Sequence, residues 1–107
     1  MQRLATVIRI KPEKIEEYKR LHADAWPGVL RALRRANVRN YSIYLRDNTL
    51  FGYMEYTGDD FGADMAKVAE DEETQRWWRL TDPCQQPVDS AGPGEWWAPM
   101  EEVFHMD

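Results

Sequence analysis

Leu4-Ala5-Thr6-Val7-Ile8-Arg9-Ile10, followed at once by Lys11-Pro12-Glu13, is the stretch that decides the fold. Leu4, Thr6, Ile8 and Ile10 share one parity and Ala5, Val7 and Arg9 the other, which is the alternation of a strand. Pro12 and Glu13 stop that strand and open a helix, because a proline is tolerated in a first helical turn and a carboxylate there faces the positive end of the helix dipole. From Pro12 to about Ala36 the period is helical. Ile15, Tyr18, His22, Trp26, Val29 and Leu33 fall in one narrow arc, with Glu13, Glu16, Lys19 and Arg20 largely outside it. Pro27 interrupts the pattern and predicts a kink or a restarted helix near Trp26-Pro27.

Working outward, Val38 to Arg46 is rich in Val, Ile and Tyr, Asp47-Asn48-Thr49 reads as a turn, and Leu50 to Thr57 is a second β-like run. The pair predicts an antiparallel hairpin. Gly58-Asp59-Asp60 supplies turn and capping chemistry ahead of a helix through Met65 and Val68, and a further helix spans Glu72 to Leu80. Pro83 to Pro93 reads as a loop, and Met100 to Met106 as the last strand. The sum is an α+β chain in the order β-α-β-β-α-β, the ferredoxin-like sandwich of a four-stranded antiparallel sheet with helices on one face. Nothing in the chain remains to cover the other face, so a homodimer is expected.

With 107 residues, the chain has the length of one domain, taken as residues 1–107. Lys and Arg number 14 against 19 Asp and Glu, a net charge of −5 that argues against nucleic acid and membrane surfaces as partners. The lone Cys84 cannot form an internal disulfide, and no stretch approaches the roughly 18 apolar residues of a membrane helix. The N-terminal residues lack the apolar run of a signal peptide, and a cytoplasmic location is expected.

Two features can carry chemistry. His22 places an ionisable imidazole on the apolar side of its helix, with Tyr18 one turn earlier on the same arc, and together they can hold a polar ligand. The bland alternative is a structural histidine satisfied by its own helix. Trp77-Trp78, between Arg76 and Arg79, is the second feature. Adjacent helix positions point about 100° apart, so both indoles cannot fill one core slot. An indole suits the apolar face of a sugar, combining a flat surface with one N–H donor, and its alternative is one core and one interface residue. Tyr41, Tyr44, Tyr53 and Tyr56 read first as hairpin packing residues, with Tyr41 and Tyr44 on opposite faces. Cys84 and His105 have no partners at ligand spacing, Trp96 and Trp97 receive no role, and the carboxylates from Glu70 to Glu73 read as a solvated helix start. No zinc spacing, phosphate loop or nucleophile elbow is present.

Glu17-Tyr18, His22, Trp26-Pro27, Asn40-Tyr41-Ser42-Ile43-Tyr44-Leu45, Gln75-Arg76-Trp77-Trp78 and Glu102-Val103-Phe104 together resemble the L-rhamnose mutarotase family, in the same order and over essentially the whole chain. The resemblance implies a cofactor-free cytoplasmic homodimer with a dimeric α+β barrel, interconverting the α and β anomers of a 6-deoxy-hexose. It also implies His22 as proton donor, with Tyr18, Tyr41, Trp77 and Trp78 on the sugar and no metal. Gly28 departs from the family pattern, where Glu usually follows Trp-Pro, and so do Arg79-Leu80-Thr81-Asp82-Pro83 after the Trp pair. These differences leave L-fucose or a related sugar as a competitor to L-rhamnose. An oxygenase or haem-degrading enzyme of the dimeric α+β barrel class, with a helix histidine approaching haem iron, is the alternative from another class, and a binding module without catalysis is the third.

Overall fold

A computed structural model describes all 107 residues, Met1 to Asp107. The strand expected from Leu4 to Ile10 is β1 (Gln2–Ile10), and one 3₁₀ turn at Pro12–Lys14 leads into α1 (Ile15–Ala23). The helical stretch read from Pro12 to Ala36 breaks at Asp24, and α2 (Pro27–Arg35) restarts with Pro27 in its first turn, as that proline's missing N–H permits. β2 (Val38–Arg46) and β3 (Thr49–Tyr56) form the hairpin, joined by Asp47-Asn48 with Asp47 in the left-handed region (φ 53°). Then come α3 (Phe61–Glu70), α4 (Glu72–Thr81), a 3₁₀ turn at Asp82–Cys84, β4 (Gln85–Gln86) and β5 (Ala98–Met100). No helix is long and apolar enough to cross a membrane.

The sheet runs β2-β3-β1-β4, antiparallel throughout, and β5 also pairs with β1. This is the strand order of the expected ferredoxin-like sandwich, with one correction. The last strand is not Met100–Met106: β1 fills its outer edge with two short pieces, β4 opposite Arg9 and Ile10 and β5 opposite Ala5, Thr6 and Val7. Residues Glu101–Asp107 lie beyond that edge and make no ladder, leaving Val103, Phe104 and Met106 exposed. Their alternation is strand-like, but the ladder on β1 ends with Met100 opposite Ala5, and beyond it Glu102 meets Arg3 of β1 through a side-chain ion pair at 2.7 Å rather than through backbone hydrogen bonds.

Cross-strand pairs sort the sheet into two faces. Ile8 pairs with Leu50 and Leu45 with Leu50, and this face meets the helices, where Ile8, Ile10, Tyr18, Leu50 and Cys84 form the buried core. A bulge between Arg39 and Ser42, with Asn40 left-handed (φ 48°), inserts one extra residue into β2. The insertion lets Val38 and Ile43, five apart and of opposite parity, both face the helices. After the bulge Tyr41 stands on the helix side with Ile43, and Tyr44 on the open side with Phe51, as parity predicted. No element of the chain covers that open face.

Local capping positions the helices. Asp71 separates α3 from α4, and its carboxylate accepts from the Thr74 N–H (2.9 Å) and hydroxyl (2.8 Å) at the start of α4. Asp64 on α3 accepts from the Tyr56 hydroxyl (2.5 Å) and the Asn37 amide (3.0 Å), tying α3 to the end of the hairpin. The departure at Gly28 has a physical counterpart. Glu73 of α4 accepts from the Gly28 N–H at 2.8 Å, capping the first turn of α2, and a side chain at position 28 would collide with that carboxylate. Part of the acidic run therefore holds two helices together. Glu73→Ala is expected to lower the unfolding free energy by about 1 to 2 kcal/mol in urea titration, whereas Glu72→Ala on the exposed face changes it by less than about 0.5 kcal/mol.

Candidate active site

Between α1 and the helix-facing side of the sheet lies a cavity of about 300 Å³, lined by Ile10, Ile15, Tyr18, Lys19, His22, Ala23, Ile43, Leu45 and Leu50. Its size is at the lower end of ligand sites, roughly 300 to 1,000 Å³, and its walls are mostly apolar with few polar groups. Tyr18 and His22 meet there because α1 turns the same face inward at positions i and i+4. Their rings stack at 4.1 Å between centroids, 26° from parallel.

His22 Nδ1 lies 2.9 Å from the Tyr18 backbone oxygen. A carbonyl can only accept, so Nδ1 carries the proton and Nε2 of the neutral ring keeps a free lone pair. Burial lowers the imidazole pKa below its ordinary 6.5, opposed by the bond to the Tyr18 carbonyl. The ring is thus set up as a base at neutral pH. The Tyr18 hydroxyl moves the other way: burial raises its pKa, partly offset by a hydrogen bond from Gln85, so it stays protonated.

The remaining expected site residues are placed unequally. Trp77 is buried and edge-on to both His22 (5.1 Å) and Trp26 (5.4 Å), standing behind the imidazole. Trp78 is 38 % exposed and does not line the cavity, so the Trp pair divides into one packed and one open indole, as helix geometry required. Tyr41 also lies outside the lining, but its hydroxyl is near enough to Tyr18 to raise that group's pKa, and burial raises its own. Cys84 is fully buried, donates toward Glu17 Oε2 at 3.4 Å, and has its thiol pKa pushed up by burial. His105 pairs with Asp107 at 2.7 Å at the exposed C-terminus, away from the cavity.

Sequence reasoning missed Gln85. It is buried, donates to the Tyr18 hydroxyl at 3.1 Å and accepts from the Trp96 indole N–H at 2.9 Å. A glutamine in a Pro-rich stretch carries no local signal of burial. Trp97 packs on the core beside Gly52, where a larger residue would crowd it.

Comparison with known proteins bears on this arrangement. The family model for L-rhamnose mutarotase matches residues 3–106. L-rhamnose mutarotases of Oceanobacillus iheyensis and Bacillus subtilis are 32% and 33% identical over 109 residues, covering all of both chains in each case. The crystal structure of an L-rhamnose mutarotase from Formosa agariphila superposes with a TM-score of 0.78 at 28% identity, again over both whole chains. Tetracenomycin F2 cyclase from Streptomyces glaucescens, a type-II polyketide cyclase, reaches 0.74 at 14% identity over 100% of this chain and 98% of its own, a likeness of fold.

The depressed pKa of His22 has a consequence for stability. A base whose folded pKa lies below its unfolded value resists protonation only when folded, so the unfolded chain gains protons first on acidification. Stability contributed by the neutral ring is complete above pH 6.5 and is lost as pH falls from there through the folded pKa. The urea midpoint is expected to drop over that interval in the wild type. In His22→Gln that part of the drop should be missing; an identical pH dependence would place His22 in an unperturbed environment.

Proposed function

The chain belongs to the L-rhamnose mutarotase family, and from that membership and the His22 geometry we propose that it interconverts the α and β anomers of a 6-deoxy-hexose, L-rhamnose foremost. The observation that carries the reading is the imidazole itself. Its Nδ1 is occupied by the Tyr18 carbonyl, and its ring borders a cavity of monosaccharide scale.

In a pyranose the anomeric hydroxyl O1 and the ring oxygen O5 are bonded to the same carbon, so one imidazole nitrogen can reach both. His22 Nε2 takes the proton from O1 as the C1–O5 bond breaks and C1=O1 forms. The imidazolium then gives that proton to O5, leaving the open-chain aldehyde and the neutral ring with which the cycle began. Rotation about C1–C2 presents the other carbonyl face, and the same steps in reverse close the other anomer. His22 is therefore proton donor in each direction after first being acceptor, and no electron leaves the sugar. Tyr18, held protonated, donates a hydrogen bond to the substrate; Tyr41 adds a second hydroxyl. Trp77 packs edge-on against the imidazole and holds its plane, and Trp78, the exposed indole of the pair, offers its surface to the C–H face of the sugar.

The whole chain works as one unit, cytoplasmic and homodimeric. The open sheet face supports the dimer, since Tyr44 and Phe51 stand exposed there, with Met100 of β5 on the same face across β1. Burying about 800 Å² per subunit would give a stable interface of ordinary size. Sedimentation at micromolar concentration is expected to give the dimer mass, and a monomer would refute it.

Saturation transfer between α and β anomeric protons measures the reaction directly, across L-rhamnose, L-fucose and common hexoses. His22→Ala should fold and lose about a hundredfold to ten-thousandfold in both kcat and kcat/KM. Trp78→Ala should raise KM with little change in kcat, because an indole positions a ring without exchanging protons with it. Wild-type rates in the His22 variant would remove the imidazole from the mechanism, and wild-type KM in the Trp78 variant would remove that indole from the sugar.

A further inference from the structure

Gln85, the first residue of β4, is 4 % exposed, and its two amide ends are told apart by what they touch. The Trp96 indole can only donate, so the amide atom 2.9 Å from it is the oxygen. The amide nitrogen is then the atom 3.1 Å from the Tyr18 hydroxyl, and it must donate. The phenol oxygen accepts that bond, and its own proton finds no acceptor within the protein. Tyr18 lines the cavity, so this unspent proton is what the hydroxyl has to offer a ligand.

We infer that Trp96 and Gln85 form a positioning relay that makes Tyr18 an obligate hydrogen-bond donor to the ring oxygen of the bound pyranose. The inference rests on the mutarotase reading and names the sugar atom that Tyr18 meets. Every hydroxyl of a pyranose both donates and accepts, whereas its ring oxygen only accepts. A sugar hydroxyl at that point would still have its own proton to place among walls that are mostly apolar, whereas the ring oxygen, which only accepts, leaves no donor unpaired. The ring oxygen also gathers negative charge as the C1–O5 bond breaks, so a fixed donor there strengthens during the reaction. Trp96 sits at the end of the long excursion between β4 and β5, and it acts on the substrate only through Gln85 and Tyr18.

Two non-reacting ligands read the contact: 1,5-anhydro-L-rhamnitol, which keeps the ring oxygen, and its carba analogue, in which a methylene replaces it. Calorimetry at about pH 9, where a carboxyl that accepts two hydrogen bonds is ionised even in a buried site, should show the wild type favouring the first by about tenfold. In Gln85→Glu the carboxylate accepts from both Trp96 and Tyr18, turning the phenol proton away from the cavity. The preference should vanish there as it does in Tyr18→Phe, with no further loss in the double variant. Gln86→Glu, carrying the same charge on the exposed neighbour, should keep it. Trp96→Phe, which frees the amide to turn without disturbing the core, should reduce the preference to about threefold. A wild type that accelerates anomer exchange yet binds both ligands equally, or Gln85 and Trp96 variants that retain the full preference, would overturn the relay alone. A wild type that accelerates no exchange of L-rhamnose or L-fucose would overturn the mutarotase reading and the relay with it.

Discussion

Tyr18 is the residue on which core and cavity both depend. Its ring packs with Ile8, Ile10 and Leu50, its backbone oxygen fixes the proton on His22, and its hydroxyl is held by Gln85. Each of these bonds would be weak alone, since a neutral hydrogen bond is worth about 1 kcal/mol net. Here they share one buried side chain, so the imidazole cannot turn without breaking the bond that selects its tautomer. The site is ordered by the same burial that stabilises the sheet, and its donor and acceptor pattern is set before any ligand arrives.

The parts of this arrangement that are legible in the sequence are those set by neighbours in the chain. Pro27 announces the restart of the helix, Asp47-Asn48 the hairpin, and the i, i+4 spacing the meeting of Tyr18 with His22. The family words place the remaining site candidates, and alternation separates Tyr41 from Tyr44. What stayed hidden depends on pairing across the fold. Val103 and Phe104 look like strand residues, yet the pairing on β1 stops at Met100 and the chain beyond it meets that strand through the Arg3–Glu102 ion pair. The β2 bulge changes which parity faces inward midway along the strand, and its only local trace is an asparagine able to adopt positive φ. Gln85 is important through Tyr18 and Trp96, 67 and 11 residues away, and no pattern in its own neighbourhood encodes that.

Charge follows the same logic. The acidic run before the Trp pair reads as a solvated helix start, but Asp71 and Glu73 are bound to backbone N–H groups of two different helices. Glu73 reaches α2 because position 28 has no side chain, and the helix carrying Trp77 is thereby drawn against the helix that begins beside Trp26. The first turn of α2 is thus capped by a carboxylate that belongs to another helix.

The divided outer strand carries an implication for how such chains diversify. β4 and β5 are both anchored on β1, and the intervening residues 87–97 leave the sheet and return to the same edge. Because both ends of that excursion are pinned independently, its length can drift with only a slow, logarithmic entropic cost and without shifting the register of any other strand. The outgoing part of the excursion is thus a replaceable cassette, while its returning end is tied inward by two adjacent indoles, Trp96 on Gln85 and Trp97 on the core beside Gly52, which any graft has to keep.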